Sequence, residues 1–267
     1  MTESSGPHPL VIVMPAYHAA KTIEKTYRDI DPALNAYVLL VDDASTDNTV
    51  EVARGLGLEV MVHPENRGYG ANQKTCYRAA LARGAEIVVM LHPDYQYDPT
   101  RVPALVAPIQ AGEADMALGS RLADGRAREG GMPLYKFVAN RFLTTVENAC
   151  MGQRFTDLHT GLRAYHRRVL ETVPFENNSD GFVFDSEFLF QARYFGFRLA
   201  EIPVSARYMD DASSTGFVTS VKYGTNTLIV AAKYLLHRGG VLRSPLFRPR
   251  PGAPERGAQA TPGQPGK

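Results

Sequence analysis

Apolar positions cluster in short runs through the first half of the chain. LVIVMP (10–15), YVLLVDD (37–43), LEVMVH (58–63), EIVVMLHPD (86–94) and DMALGS (115–120) are rich in Val, Ile, Leu and Met. Each is bounded by turn residues, as buried parallel strands are. Longer stretches with helical spacing lie between them, at 21–31, 47–56, 71–83 and 99–111. Ser45 and Asp47 are placed to cap the second stretch, and Gly84 and Gly112 stand where two helices should stop. Strand–helix alternation with short connections predicts an α/β fold, a mostly parallel Rossmann-like sheet with helices on both faces.

The second half is less regular. Helices are predicted at 134–151, 183–195 and 217–236, a strand at 162–165, and an extended segment at 198–207 broken by Pro203. This reads as an α+β acceptor region added to the core. From residue 244 onward Pro and Gly dominate, and large apolar residues stop after Phe247. The expected organisation is a loose N-terminus (1–8), one domain over 9–243 with halves at 9–121 and 122–243, and a disordered tail over 244–267.

Composition narrows the function classes. The chain has 267 residues and a formal net charge of +1, with no overall electrostatic footprint for nucleic acid. Its two cysteines, Cys76 and Cys150, cannot make a disulfide scaffold, so a reducing compartment is expected. No leader-like N-terminus and no membrane-spanning apolar run is recognisable. A cytoplasmic protein is expected, with peripheral membrane contact and homodimerisation left open. The helix at 217–236 carries Lys222 and Lys233 and suits core packing, a second copy or a membrane interface.

Open parallel sheets bind ligands beyond the carboxyl ends of their strands. The residues there include Tyr17, Asp42, Asp43, Arg67, Asp94 and Arg121. Several acids with arginines on one edge suit a phosphorylated, metal-bound ligand better than isolated helix caps. The loop Gly68-Tyr69-Gly70-Ala71-Asn72-Gln73 begins like a dinucleotide fingerprint. It lacks the third glycine and follows the third strand rather than the first, which argues against a nicotinamide dehydrogenase. Gly70 at a helix start could still favour an anion, or could simply shape a turn.

In order along the chain stand MPAYHAAKTIEKT, VLLVDDASTDNTVEVA, HPENRGYGANQKTCYRAA, HPDYQYDP, LGSR and FTDLHTGLRAYHRRVL. This set, spanning about 11–202, resembles the family 2 glycosyltransferases, and most closely the dolichyl- and polyprenyl-phosphate sugar synthases. The resemblance implies the GT-A fold, a nucleotide-diphospho-sugar donor, Mg²⁺ or Mn²⁺, and inversion at the anomeric carbon. It implies donor contacts at Pro15, Ala16, Tyr17, Asp42, Asp43, Arg67, Gly70, His92, Pro93, Asp94 and Arg121. A carboxylate suits base recognition because uracil and guanine both present N–H donors. A planar guanidinium fork suits a diphosphate.

The metal motif departs from the family pattern. His92 stands where Asp is usual, while Asp94 and Gln96 occupy retained positions. Asp94 is therefore the expected principal ligand, with Gln96 and His92 in support, and an imidazole favours Mn²⁺. His92 holding a water or phosphate, or merely packed at a strand end, are the open alternatives. Asp157 and Asp185 match positions near the reacting groups. Asp185 is the expected base for a hydroxyl acceptor and a positioning residue for a phosphate acceptor, which is already anionic; helix-end charge alone is the plainer reading. Arg126 and Arg128 are expected on an acceptor loop that closes over the donor, or on a merely solvated one. Arg207, Ser213 and Ser214 stand in a later loop that could also reach the acceptor.

The implied reaction moves a hexose from a nucleotide sugar, with UDP-glucose or UDP-N-acetylglucosamine favoured, to a hydroxyl or a polyprenyl phosphate. A GDP-mannose-dependent synthase and a non-catalytic nucleotide-sugar-binding protein are the alternatives. A sugar nucleotidyltransferase would need a Gly-rich basic loop where PAYHAAKT stands.

Overall fold

A computed structural model describes residues 9–123, 132–207 and 217–250. The chain runs β1 (Leu10–Ala16), α1 (Ile23–Arg28), β2 (Tyr37–Asp42), α2 (Thr49–Gly55), β3 (Glu59–Val62), α3 (Tyr69–Ala82), β4 (Ile87–Met90), α4 (Val102–Gln110) and β5 (Met116–Ser120). It continues through α5 (Leu134–Met151), β6 (Arg163–His166), α6 (Arg167–Thr172), α7 (Phe184–Tyr194), β7 (Leu199–Pro203) and α8 (Phe217–Arg238).

The strands form one sheet in the order β3-β2-β1-β4-β6-β5-β7. β6 is antiparallel to both β4 and β5, and every other strand pair is parallel. Period-two alternation sends adjacent residues to opposite faces. Val11, Val13, Leu39, Val41, Val88 and Met90 pack with Tyr77 of α3, Phe188 of α7 and Tyr234 of α8. Leu10, Ile12, Met14, Leu40 and Val89 pack with Ile23 of α1, Ala53 of α2 and Leu105 of α4. The expected α/β sheet with two covered faces is therefore present. The strands read as unbroken apolar runs because both faces are buried.

Several boundaries differ from the sequence reading. β4 stops at Met90 because the chain turns at 91–97, where Tyr95 adopts a left-handed φ of 56°. Asp47 caps α2 by accepting from the Thr49 N–H at 3.2 Å, whereas Ser45 accepts from the His18 N–H instead. α6 was not foreseen, since six residues carry too little periodicity to register. Residues 244–250, expected in a disordered tail, are packed on the domain. Ser244 caps a 3₁₀ turn at Pro245–Phe247, and Phe247 is buried against Tyr194, Tyr234 and His237. Composition from 244 onward is averaged over a Pro/Gly-rich stretch, which hides two anchoring apolar residues, Leu246 and Phe247.

Candidate active site

The carboxyl ends of β1, β2, β4 and β5 and the start of β6 meet along one sheet edge. At the first of these, Tyr17 is half exposed and stacks on His18, with ring centroids 4.1 Å apart. His18 has a φ of 53° and Ala44 a φ of 61°. Two non-glycine residues held left-handed in facing loops are the kind of strain that collects at functional sites. Pro15 and Ala16 are buried, and the Ala16 carbonyl accepts from the Asp43 N–H at 2.9 Å.

The acidic pair divides its work. Asp43 accepts from His63 Nδ1 at 2.7 Å and from the backbone N–H groups of Arg67 and Gly68 at 2.9 Å each. Its carboxylate thereby shapes the loop that presents Arg67, whose side chain is exposed. Asp42 accepts from the Ser45 N–H at 2.9 Å, and its Oδ2 is buried with no hydrogen-bond partner. An orphaned acceptor at this depth is costly unless something supplies a donor. Asp43 thus ties the 67–68 loop and His63 to the edge.

Gly70 also has a different task from the one expected. Its N–H donates to the Asp180 carbonyl at 2.7 Å, so this end of α3 is closed by backbone. A Cβ there would stand 2.3 Å from the Ser179 carbonyl oxygen. The glycine permits close packing of α3 on the 179–181 loop, and an anion would have to displace that loop.

His92, Pro93, Asp94 and Gln96 lie on the turn after β4. Tyr95, central to that turn, is buried and its hydroxyl donates to Asp29. The Pro93 carbonyl accepts from Thr26 at 3.2 Å. Asp94 is half-buried and, among the described residues, accepts only the Gln96 N–H, at 3.0 Å. His92 stacks on Tyr69 and its Nε2 lies 3.3 Å from the Tyr69 hydroxyl. Burial lowers the His92 pKa, against the opposing charges of Asp94 and Asp185, which favours the neutral imidazole. Among the described residues, no three His, Cys, Asp or Glu side chains gather closely enough to hold a metal alone. One carboxylate with a neutral imidazole is nonetheless a fitting donor set. Mg²⁺ and Mn²⁺ sites of this kind are completed by substrate phosphates and water.

Asp185, at the start of α7, is gripped from three directions. Tyr69 donates to its Oδ2 at 2.8 Å, Gln73 donates to its Oδ1 at 3.1 Å, and Arg163 Nη1 lies 3.3 Å from the same Oδ1. Burial and the Asp185 charge push the Tyr69 phenol well above its usual pKa, so it remains a donor. Tyr69, Gln73 and Arg163 were not singled out from the sequence. The only signal was an arginine inside an otherwise apolar strand run, LRAY.

Asp157, expected near the reacting groups, is buried in a set of donors. Arg121 Nε and Nη2 grip it at 2.7 and 3.0 Å, Asn140 donates at 2.8 Å, and the His159 N–H donates at 3.1 Å. Burial alone would raise its pKa, but the Arg121 charge and the Arg121 and Asn140 hydrogen bonds hold it at about 2. The same contacts turn Arg121 inward, where it also donates to the His159 carbonyl at 2.7 Å. The arginine expected on the diphosphate and the acid expected beside the acceptor are thus each other's partners. Arg126, Arg128, Ser213 and Ser214 lie outside the described residues. Arg207 stacks over the Tyr95 ring at 4.9 Å, and so braces the turn after β4.

The model of glycosyl transferase family 2 matches residues 11–173. An uncharacterised protein of Methanocaldococcus jannaschii is 31% identical over 78% of this chain and 85% of its own length. UDP-N-acetylglucosamine–dolichyl-phosphate N-acetylglucosaminyltransferase of Methanococcus voltae is 25% identical over 82% of this chain and 91% of its own. In fold, the chain is similar to glucosyl-3-phosphoglycerate synthase of Mycobacterium tuberculosis, solved with Mn²⁺, UDP-glucose and phosphoglyceric acid. The TM-score is 0.65 at 20% identity, covering 89% of this chain and 81% of the other. The family match over more than half of the chain, the 31% identical relative and the shared GT-A fold agree: the chain belongs to glycosyl transferase family 2, enzymes that move a sugar from a nucleotide-sugar donor.

Proposed function

We propose that the chain transfers a hexose from a UDP-sugar, UDP-glucose or UDP-N-acetylglucosamine, to a polyprenyl phosphate. The observation that carries the acceptor class is the state of the two carboxylates, among the described residues, that the sequence offers near the reacting groups. Asp157 is buried in an ion pair with Arg121, and Asp185 is held by Tyr69, Gln73 and Arg163. Neither stands free to take a proton. A phosphate monoester has a second pKa of about 6 and is mostly dianionic at neutral pH. Such an acceptor needs no base. The relative from Methanococcus voltae, whose name specifies UDP-N-acetylglucosamine and dolichyl phosphate, supports the same pairing.

In this reading Tyr17 offers a stacking face to the uracil, and exposed Arg67 stands beside the phosphates. Asp94 and His92 are the residues that would hold Mn²⁺ or Mg²⁺, which when bound neutralises charge on the departing diphosphate. Asp185 fixes Arg163 and Tyr69 and so acts as a positioning residue. The acceptor phosphate oxygen attacks the anomeric carbon on the side opposite the diphosphate. The new bond is C1–O–P to the lipid. The bond to UDP breaks, and UDP leaves with the electron pair, inverting the configuration.

The test is a transfer assay with radiolabelled UDP-glucose, UDP-N-acetylglucosamine and GDP-mannose, each against a polyprenyl phosphate and the matching polyprenol. The expected product forms from a UDP-sugar and the phosphate only. Transfer to the polyprenol would restore Asp185 as a base. Product from GDP-mannose alone would assign the other donor. Nucleotide binding without turnover on any acceptor would leave a binding protein.

A further inference from the structure

α5 and α8 pack directly on one another: the Leu143 side chain of α5 lies 3.5 Å from where a Cβ at Gly224 of α8 would stand. α5 turns a mixed face inward (Asn140, Leu143, Thr144, Glu147 and Met151) and α8 a mostly apolar one (Thr227, Val230, Ala231 and Tyr234), yet both carry an apolar stripe on the solvent side. On α5 the stripe is Leu134, Val138 and Phe142, at four-residue spacing. On α8 it is Val221, Leu228 and Leu235, at seven-residue spacing. These six side chains are 37–62% exposed. Scattered exposed apolar residues need no explanation, but a stripe repeated on two adjoining helices marks an interaction surface.

The charge around these stripes says what kind. Arg141, Lys222, Lys233, Arg238 and Arg243 are all exposed. α8 contains no acid, and the only acid on α5, Glu147, is fully buried. In a chain whose total charge is +1, the exposed charged side chains of these two helices, among the described residues, are all cationic. Apolar stripes bordered by Lys and Arg fit an anionic lipid surface, where the apolar groups enter the acyl boundary and the cations meet headgroups. No helix among the described residues is long and apolar enough to cross a membrane, so the contact is interfacial.

We infer that the outer face of α5 and α8 docks the enzyme on an anionic bilayer. The same helices border the site from within. Asn140 of α5 donates to Asp157, and the Tyr223 hydroxyl of α8 lies 2.7 Å from His159 Nδ1. A docked enzyme therefore holds its Arg121–Asp157 edge close to the lipid surface. The docking rests on the exposed face alone and stands whether or not the acceptor is a polyprenyl phosphate.

The experiment is co-sedimentation of the full chain with phosphatidylcholine vesicles, with and without phosphatidylglycerol. The expected result is sedimentation with the anionic vesicles, weakened by salt. Replacing Lys222→Ala together with Lys233→Ala should lower partitioning about 25-fold, at about fivefold for each cation. Phe142→Ser with Leu228→Ser should abolish it while the thermal shift with UDP and Mn²⁺ is unchanged. Failure of the native chain to sediment, or sedimentation indifferent to both double variants, overturns the inference. So does a dimer in light scattering that these variants dissociate without any vesicle binding, which would give the face to a second copy. Vesicle binding with no nucleotide-induced shift would support the docking face and count against the donor reading alone.

Discussion

Replacing Asp157→Asn tests whether this acid is structural. The carboxylate is fully buried, and its partners are Arg121, Asn140 and the His159 N–H. Its pKa falls from 3.8 to about 2. At 1.36 kcal/mol per unit, the ionised form stabilises the fold by about 2 kcal/mol relative to the protonated one. The folded pKa lies below the unfolded one, so that stability is fully present above pH ~4 and is lost as pH falls toward 2. The amide should cost more, about 3–5 kcal/mol, because it strands the Arg121 charge in a buried site. In a domain of this size that corresponds to a melting temperature lower by about 6–10 °C. Urea unfolding followed by circular dichroism from pH 7 down to pH 2 reads both effects. The native chain should lose the extra ~2 kcal/mol across the acid range, and Asp157→Asn should not. Arg121→Met combined with Asp157→Leu should cost less than either single change, since no unpaired charge remains. Parallel pH curves for native chain and Asp157→Asn, or strictly additive single changes, would refute the ion-pair account.

Asp185→Asn should lower turnover yet keep the acid limb of the kcat–pH profile, because it disturbs Tyr69 and Arg163 without removing a base; a lost limb would reassign it. Asp94→Asn should leave the melting point without ligand nearly unchanged, since among the described residues Asp94 accepts only the Gln96 N–H, while removing the increment that Mn²⁺ adds to the thermal shift with UDP. Gly70→Ala should destabilise by about 1–3 kcal/mol in urea unfolding, because the new methyl meets the Ser179 carbonyl oxygen at 2.3 Å. Phe247→Ala should cost about 3–5 kcal/mol, and an unchanged urea midpoint would show that the 244–250 segment carries no packing energy.

The fold was legible because its core strands are buried on both faces. Five apolar runs with helical stretches between them admit few arrangements other than a doubly wound sheet. β6 was harder. LRAY reads as a strand, but nothing in four residues says that it enters antiparallel between β4 and β5. That insertion matters, because it brings Arg163 across from β4 to meet Asp185. A parallel sheet read strand by strand ends its account before this partner appears.

The site was legible as an address and much less so as a set of contacts. Strand ends bring Tyr17, Asp42, Asp43, His92, Asp94 and Arg121 onto one edge. Which of these face a ligand depends on what stands opposite, and that is set by residues distant in sequence. Asp157 and Arg121 are 36 positions apart and neutralise each other; Asp185 and Gln73 are 112 apart. A charged residue at a strand end is equally compatible with binding a diphosphate and with holding another loop in place. The two possibilities separate by burial: exposed Tyr17 and Arg67 and half-buried Asp94 remain able to meet a donor, while Asp43, Asp157 and Arg121 have become the frame. Such a frame has a chemical consequence. Among the described residues both candidate bases are held as structural anions, and that is what leads us to propose an acceptor that requires none.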